Sequence, residues 1–94
     1  MDEELLSRQA PQSLEAEQAV LGSILIDSRC VADIIGILTP EDFYLQQNRD
    51  IYETVYTMFN FSQTIDPVTV LDKLKELGYY HDNSRDYILQ LMEI

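Results

Sequence analysis

The sequence predicts an all-α domain, a compact bundle of about five short helices. Three observations carry this. Apolar residues recur with helical spacing in five separate stretches, no run shows sustained alternation of apolar and polar residues, and the stretches are divided by helix start and stop signals. The chain has 94 residues, 46% of them hydrophobic, enough for one small core of modest stability.

The elements follow in order. Residues 1–10 are polar and acidic apart from Leu5 and Leu6, and are expected to form a flexible acidic N-terminal arm ahead of a helical domain over 11–94. The first helix opens at Ser13, whose hydroxyl can accept from a free amide of the first turn, with Glu15 and Glu17 at the positive end of the dipole. Leu14, Leu21 and Leu25 make one apolar row and Ala16, Val20 and Ile24 the next, while Glu15, Gln18 and Gly22 run along another side. That side is expected to face water or a partner.

Asp27-Ser28-Arg29 reads as a turn that also caps a short second helix carrying Val31, Ile34, Ile35 and Leu38. Thr39-Pro40-Glu41-Asp42 repeats the start signal for a single turn, after which Phe43 and Tyr44 read as core plugs. A long helix from about Gln46 to Asn60 presents Ile51, Val55, Met58 and Phe59, with Tyr52 and Tyr56 beside them. Ser62-Gln63-Thr64 breaks it. Asp66 and Pro67 start the next helix, with Ile65 positioned as a staple and Val70, Leu71, Leu74 and Leu77 as its buried face. Gly78 ends it. Ser84 is expected to cap a last helix bearing Tyr87, Ile88, Leu91 and Met92, which runs to Ile94 without a stop signal, as in a piece of a longer protein.

Charge and motifs narrow the chemistry. Seventeen acidic residues against six basic ones give a formal net charge of −11. Arg8, Arg29, Arg49, Lys73, Lys75 and Arg85 are scattered, whereas a nucleic-acid surface needs clustered cations. Direct nucleic-acid binding by this domain is therefore not expected. No apolar run approaches the length of a membrane span, and no basic-then-apolar leader is present, so a soluble cytoplasmic domain is expected. Cys30 is single and falls in an apolar helical pattern, which suits a reduced packing residue.

The three glycines, Gly22, Gly36 and Gly78, form no phosphate loop, so no nucleotide site is expected in this piece. His81 has no second histidine or cysteine pair to complete a zinc set, and the spacing of a calcium loop is missing. Glu15 with Glu17, and Glu41 with Asp42, point apart on a helix and cannot converge on one bond. No catalytic residue, metal or cofactor is assigned.

The run Pro11-Gln12-Ser13-Leu14-Glu15-Ala16-Glu17-Gln18-Ala19-Val20-Leu21-Gly22 resembles the opening of the N-terminal domain of bacterial replicative DNA helicases of the DnaB family, whose pattern is Pro-x-Ser-(Ile/Leu)-Glu-Ala-Glu-x-x-Val-Leu-Gly. The resemblance continues through Glu41-Asp42-Phe43-Tyr44, Ile51-Tyr52 and Ile65-Asp66-Pro67-Val68-Thr69-Val70 to the helix around Tyr87. It implies a protein-interaction and ring-assembly module. In that family the domain forms the collar of a hexamer built as a trimer of dimers, and receives the C-terminal domain of primase; a helicase loader is a further possible partner. ATP and Mg belong to the motor domain of the full-length parent, an ATP-dependent DNA helicase. Carried over to this chain, Glu15 and Tyr87 become the primase-contact candidates, although Glu15 also serves the helix start and Tyr87 also fits the apolar stripe of the last helix.

One departure is Asp82-Asn83-Ser84-Arg85-Asp86, where relatives often carry paired glycines, so a different loop geometry is expected beside Tyr87. For the isolated piece, a monomer or weak dimer is expected. Two other classes fit less well. An acyl-carrier-type protein needs a serine in an Asp-Ser-Leu context, but Ser28 and Ser84 are each followed by arginine. A helix-turn-helix DNA binder needs the opposite charge.

Overall fold

A computed structural model describes residues 13–93, and the expected arm over residues 1–10 lies outside them. Among the described residues there are five α-helices and no strand: α1 (Leu14–Ile26), α2 (Val31–Ile35), α3 (Gln46–Asn60), α4 (Pro67–Leu77) and α5 (Ser84–Leu91). Two 3-10 turns, Ser28–Cys30 and Pro40–Asp42, join the first three. α3 is the hub, packing on α1, α2 and α4, while α5 closes the bundle between α1 and α4.

The caps at Ser13, Thr39, Asp66 and Gly78 sit where the sequence puts them. Ser13 Oγ accepts from the Ala16 amide at 3.1 Å. Asp66 and Thr69 form a reciprocal capping box ahead of Pro67, and Thr39 pairs with Asp42 in the same way. Asp27 stops α1 and starts the next turn, accepting from both the amide and the guanidinium of Arg29. The Arg29 side-chain hydrogen bond, with its backbone amide, lowers the Asp27 pKa to about 2. Gly78 adopts φ +83°, and the Tyr79 amide reaches back to the Leu74 carbonyl. Ser62 takes the left-handed region after α3 at φ 57°, a conformation that costs a non-glycine residue about 1–2 kcal/mol.

The core draws Leu21, Ile24 and Leu25 from α1, Ile51, Tyr52, Val55 and Met58 from α3, Val70 and Leu74 from α4, and Ile88 and Leu91 from α5. Phe43 stacks on Tyr52 with centroids 4.6 Å apart, and the Tyr52 hydroxyl donates to the Leu38 carbonyl at 2.8 Å. Burial, above all, pushes the Tyr52 phenol pKa upward. Cys30 packs against the core, and desolvation raises its thiol pKa, in keeping with a packing role.

Several expectations need correction. Tyr44 is not a core plug: its side chain is 91% exposed, because the chain is extended at Phe43 and successive side chains point opposite ways. Leu14, Phe59 and Leu77 lie at the rim of their helices and are partly exposed. Ser84 is the first residue of α5, with Asn83 at the cap position, and its hydroxyl accepts from the His81 amide, closing the preceding loop instead of capping the helix. α5 ends at Leu91, and Ile94 lies outside the described residues.

Gly22 is buried rather than facing outward. A Cβ there would stand 2.4 Å from the Leu91 carbonyl oxygen, so α1 and α5 touch backbone to backbone at this point. Gly22→Ala is expected to destabilise the domain by about 1–3 kcal/mol through forced separation of these helices. Gly36 has φ −74°, and a Cβ there would meet its nearest atom, the Asp33 carbonyl oxygen, at an ordinary contact distance of 3.6 Å, so Gly36→Ala should stabilise by about 0.4–1 kcal/mol. Urea unfolding of both variants checks the pair.

Candidate functional site: the α1–α5 face and its buried carboxylate

The first turns of α1 carry two glutamates with different fates. Glu15 is exposed, while Glu17 is only 2% exposed. Two residues along a helix turn the side chain by about 200°, so neighbours in sequence reach opposite sides. Glu17 faces the bundle, where its Oε2 accepts from the Tyr44 amide at 2.6 Å and its Oε1 from Asn48 Nδ2 at 2.9 Å and, more distantly, from the Leu45 amide at 3.4 Å. Three donors meet two acceptor oxygens, an arrangement a carboxylate satisfies and an amide side chain cannot.

The network goes on to α5. Asn48 Oδ1 accepts a short hydrogen bond from the Tyr87 hydroxyl, whose oxygen in turn accepts from Gln18 Nε2 at 3.3 Å. Asn48 is fully buried, so its side-chain amide links Glu17 to Tyr87 through donor and acceptor ends. Beside it, Gln47 and Asn83 bond at 3.1 Å and tie the start of α3 to the loop before α5. The segment ahead of α3 is pinned from several sides: Arg49 donates twice to the Phe43 carbonyl, Tyr52 holds Leu38, and Glu17 takes the next two amides.

Sequence reasoning placed Glu15 and Tyr87 at the candidate site. The structure brings them to one face, since Glu15 lies one turn before Gln18, and Gln18 touches Tyr87. The Tyr87 ring is half-buried, packed against the core by its body and held by its hydroxyl. Glu17, Asn48 and Gln18 were missed as a group. The available signal was the row Leu14-Glu17-Leu21-Ile24, in which a carboxylate occupies a core position.

Among the described residues no three His, Cys, Asp or Glu side chains gather to hold a metal, and no helix is long and apolar enough to cross a membrane. The two ion pairs among them are Asp27 with Arg29 and Glu76 with Lys73, neither near this face. The fold and the site therefore define a small all-α domain whose helices are keyed together by a buried carboxylate–amide–phenol chain.

The chain belongs to the DnaB-like helicase N terminal domain family, whose model matches residues 9–94. It is similar to the replicative DNA helicase DnaB of Geobacillus stearothermophilus, 36% identical over 84 residues, covering 83% of this chain and 18% of the relative. The corresponding helicase of Leifsonia xyli is 32% identical over 71 residues, covering 76% of this chain and 16% of the relative. The crystal structure of the N-terminal domain of DnaB helicase from Mycobacterium tuberculosis superposes with a TM-score of 0.80 at 31% identity, over 90% of this chain and 62% of that one. The chain thus spans less than a fifth of the length of these two helicases.

Glu17→Gln retains the shape but offers an amide nitrogen to donors that need an acceptor. It is expected to lower unfolding stability by about 1–3 kcal/mol, and Tyr87→Phe, which removes the hydroxyl's hydrogen bonds with both Asn48 and Gln18, by about 1–2 kcal/mol. Thermal and urea unfolding of both variants measures the difference, with Glu17→Gln the more damaging.

Proposed function

We propose that this domain is the N-terminal collar module of a replicative DNA helicase, which receives the C-terminal domain of primase and supports assembly of a hexameric ring. The whole protein would unwind duplex DNA in the cytoplasm with ATP and Mg, through a motor domain outside this chain. What supports the reading is family membership over residues 9–94, together with the face on which Glu15 stands exposed one helical turn before Gln18, a hydrogen-bond partner of the clamped Tyr87. A rigid aromatic edge beside an exposed carboxylate is suited to protein recognition, because an ordered side chain loses little entropy on binding.

The charge of −11 agrees with this division of labour. A strongly negative collar repels the nucleic acid that a motor domain must grip, and favours basic protein surfaces. A helicase loader could use the same collar.

Calorimetric titration with the C-terminal domain of primase from the same genome tests the proposal. Saturable binding is expected, weakened roughly tenfold, or about 1.4 kcal/mol, by Glu15→Ala with folding unchanged. Tyr87→Phe should weaken it too, after allowance for its lower stability. No heat and no co-migration up to about 1 mM, equivalent to about 4 kcal/mol of binding free energy, would overturn the docking role of the domain.

A further inference from the structure

On the side of α5 away from α1, the α4–α5 junction leaves an open cavity of about 350 Å3. Its walls are apolar: Val68 and Leu71 from α4 and Leu89 from α5, with Val68 68% and Leu89 48% exposed. Lys75 and Arg85 also line it. Asp72 is its one acidic lining residue. Lys75 Nζ lies 4.9 Å from the centre of the Tyr80 ring, so its ammonium is placed at the groove rather than swinging freely.

These cations differ from the others described. Arg29 pairs with Asp27, Lys73 with Glu76, and Arg49 donates to the Phe43 carbonyl. Among the described residues Lys75 and Arg85 have no carboxylate within ion-pair distance, although the chain carries 17 acidic residues. Two cations with no ion-pair partner among the described residues, beside an apolar cleft, form a local complement to an acidic, apolar ligand.

We propose that the α4–α5 groove docks a short acidic amphipathic helix of a partner protein, its apolar stripe on Val68, Leu71 and Leu89 and its carboxylates on Lys75 and Arg85. This site is separate from the Glu15–Tyr87 face and does not rest on primase docking. The net charge of −11 does not forbid it, because at physiological salt charges more than about 8 Å away are largely screened, and among the groove's lining residues two cations stand against the single carboxylate of Asp72. A polyanion such as nucleic acid would extend past the groove into the acidic surface and be repelled. A helix of two or three turns would not.

The test is an amide NMR titration of the 15N-labelled chain with a 14-residue synthetic peptide, leucine at i, i+3, i+4 and i+7 and glutamate elsewhere. Its counterpart has every glutamate replaced by lysine. The expected result is saturable binding of the acidic peptide tighter than about 1 mM. Shifts should centre on Val68, Leu71, Lys75, Arg85 and Leu89. A Lys75→Glu/Arg85→Glu double variant with an otherwise unchanged spectrum should weaken binding at least tenfold, and Leu89→Ser should weaken it with the charges intact. Equal or tighter binding of the lysine peptide, shifts centred elsewhere, or no shifts up to about 1 mM would overturn the proposal. So would concentration-dependent shifts of the same residues without peptide, which would make a second copy of the chain the occupant.

Discussion

The carboxylate of Glu17 is the group on which the arrangement of this domain depends. It is removed from water, where an unpartnered charged group costs several kcal/mol or more. It persists because the chain brings it three donors: two consecutive backbone amides ahead of α3 and the Asn48 side chain within its first turn. The same contacts satisfy amides that no helix could, since Tyr44 precedes α3 and Leu45 is its cap residue. One side chain of α1 thus fixes the entry angle of α3, and Asn48 passes the constraint to Tyr87 of α5. Three helices far apart in sequence are keyed through four side chains.

Packing alone would leave this orientation looser. α5 is eight residues long, too short to be stable by itself, and must be held by its neighbours. The close approach at Gly22 and the hydrogen bond from Gln18 to Tyr87 align it along α1 with the same spacing in both helices, from residue 18 to 22 in α1 and from 87 to 91 in α5. An exposed Glu15 is then one turn from Gln18, which holds the Tyr87 edge, as a consequence of how the core is keyed. Candidate contact surface and core network are therefore coupled: a change to the buried Asn48 would move the aromatic edge with Tyr87 itself unaltered.

Much of the fold was legible because local chemistry governs it. Ser13, the Thr39-Pro40 and Asp66-Pro67 pairs and Gly78 act through atoms a few residues away, and their helices begin or end there. What was not legible depends on tertiary partners. Phe43 and Tyr44 are neighbouring aromatic residues, and the extended backbone between the 3-10 turn and α3 puts them on opposite sides. Ser84 could cap α5 or bond its own loop, and the His81 amide takes it. Gly22 reads as a gap on a polar side until Leu91 arrives from 69 residues later. Glu17 reads as a helix-start acid until Asn48 is placed opposite. Of the two candidate contact residues, Glu15 was legible as exposed, whereas the anchoring of Tyr87 needs the buried amide that only the fold supplies.

Hydrogen exchange at the Tyr44 and Leu45 amides tests the keying role of Glu17 most directly, because among the described residues their acceptor is that carboxylate, while the Tyr44 side chain lies in solvent. If Glu17 keys the bundle, the Tyr44 amide exchanges at least ~10³-fold more slowly than in an unstructured peptide, close to the rate set by global opening of a small domain, and loses this protection in Glu17→Leu, which offers no acceptor. Exchange within about tenfold of the unstructured rate, while the α3 amides stay protected, would contradict the account.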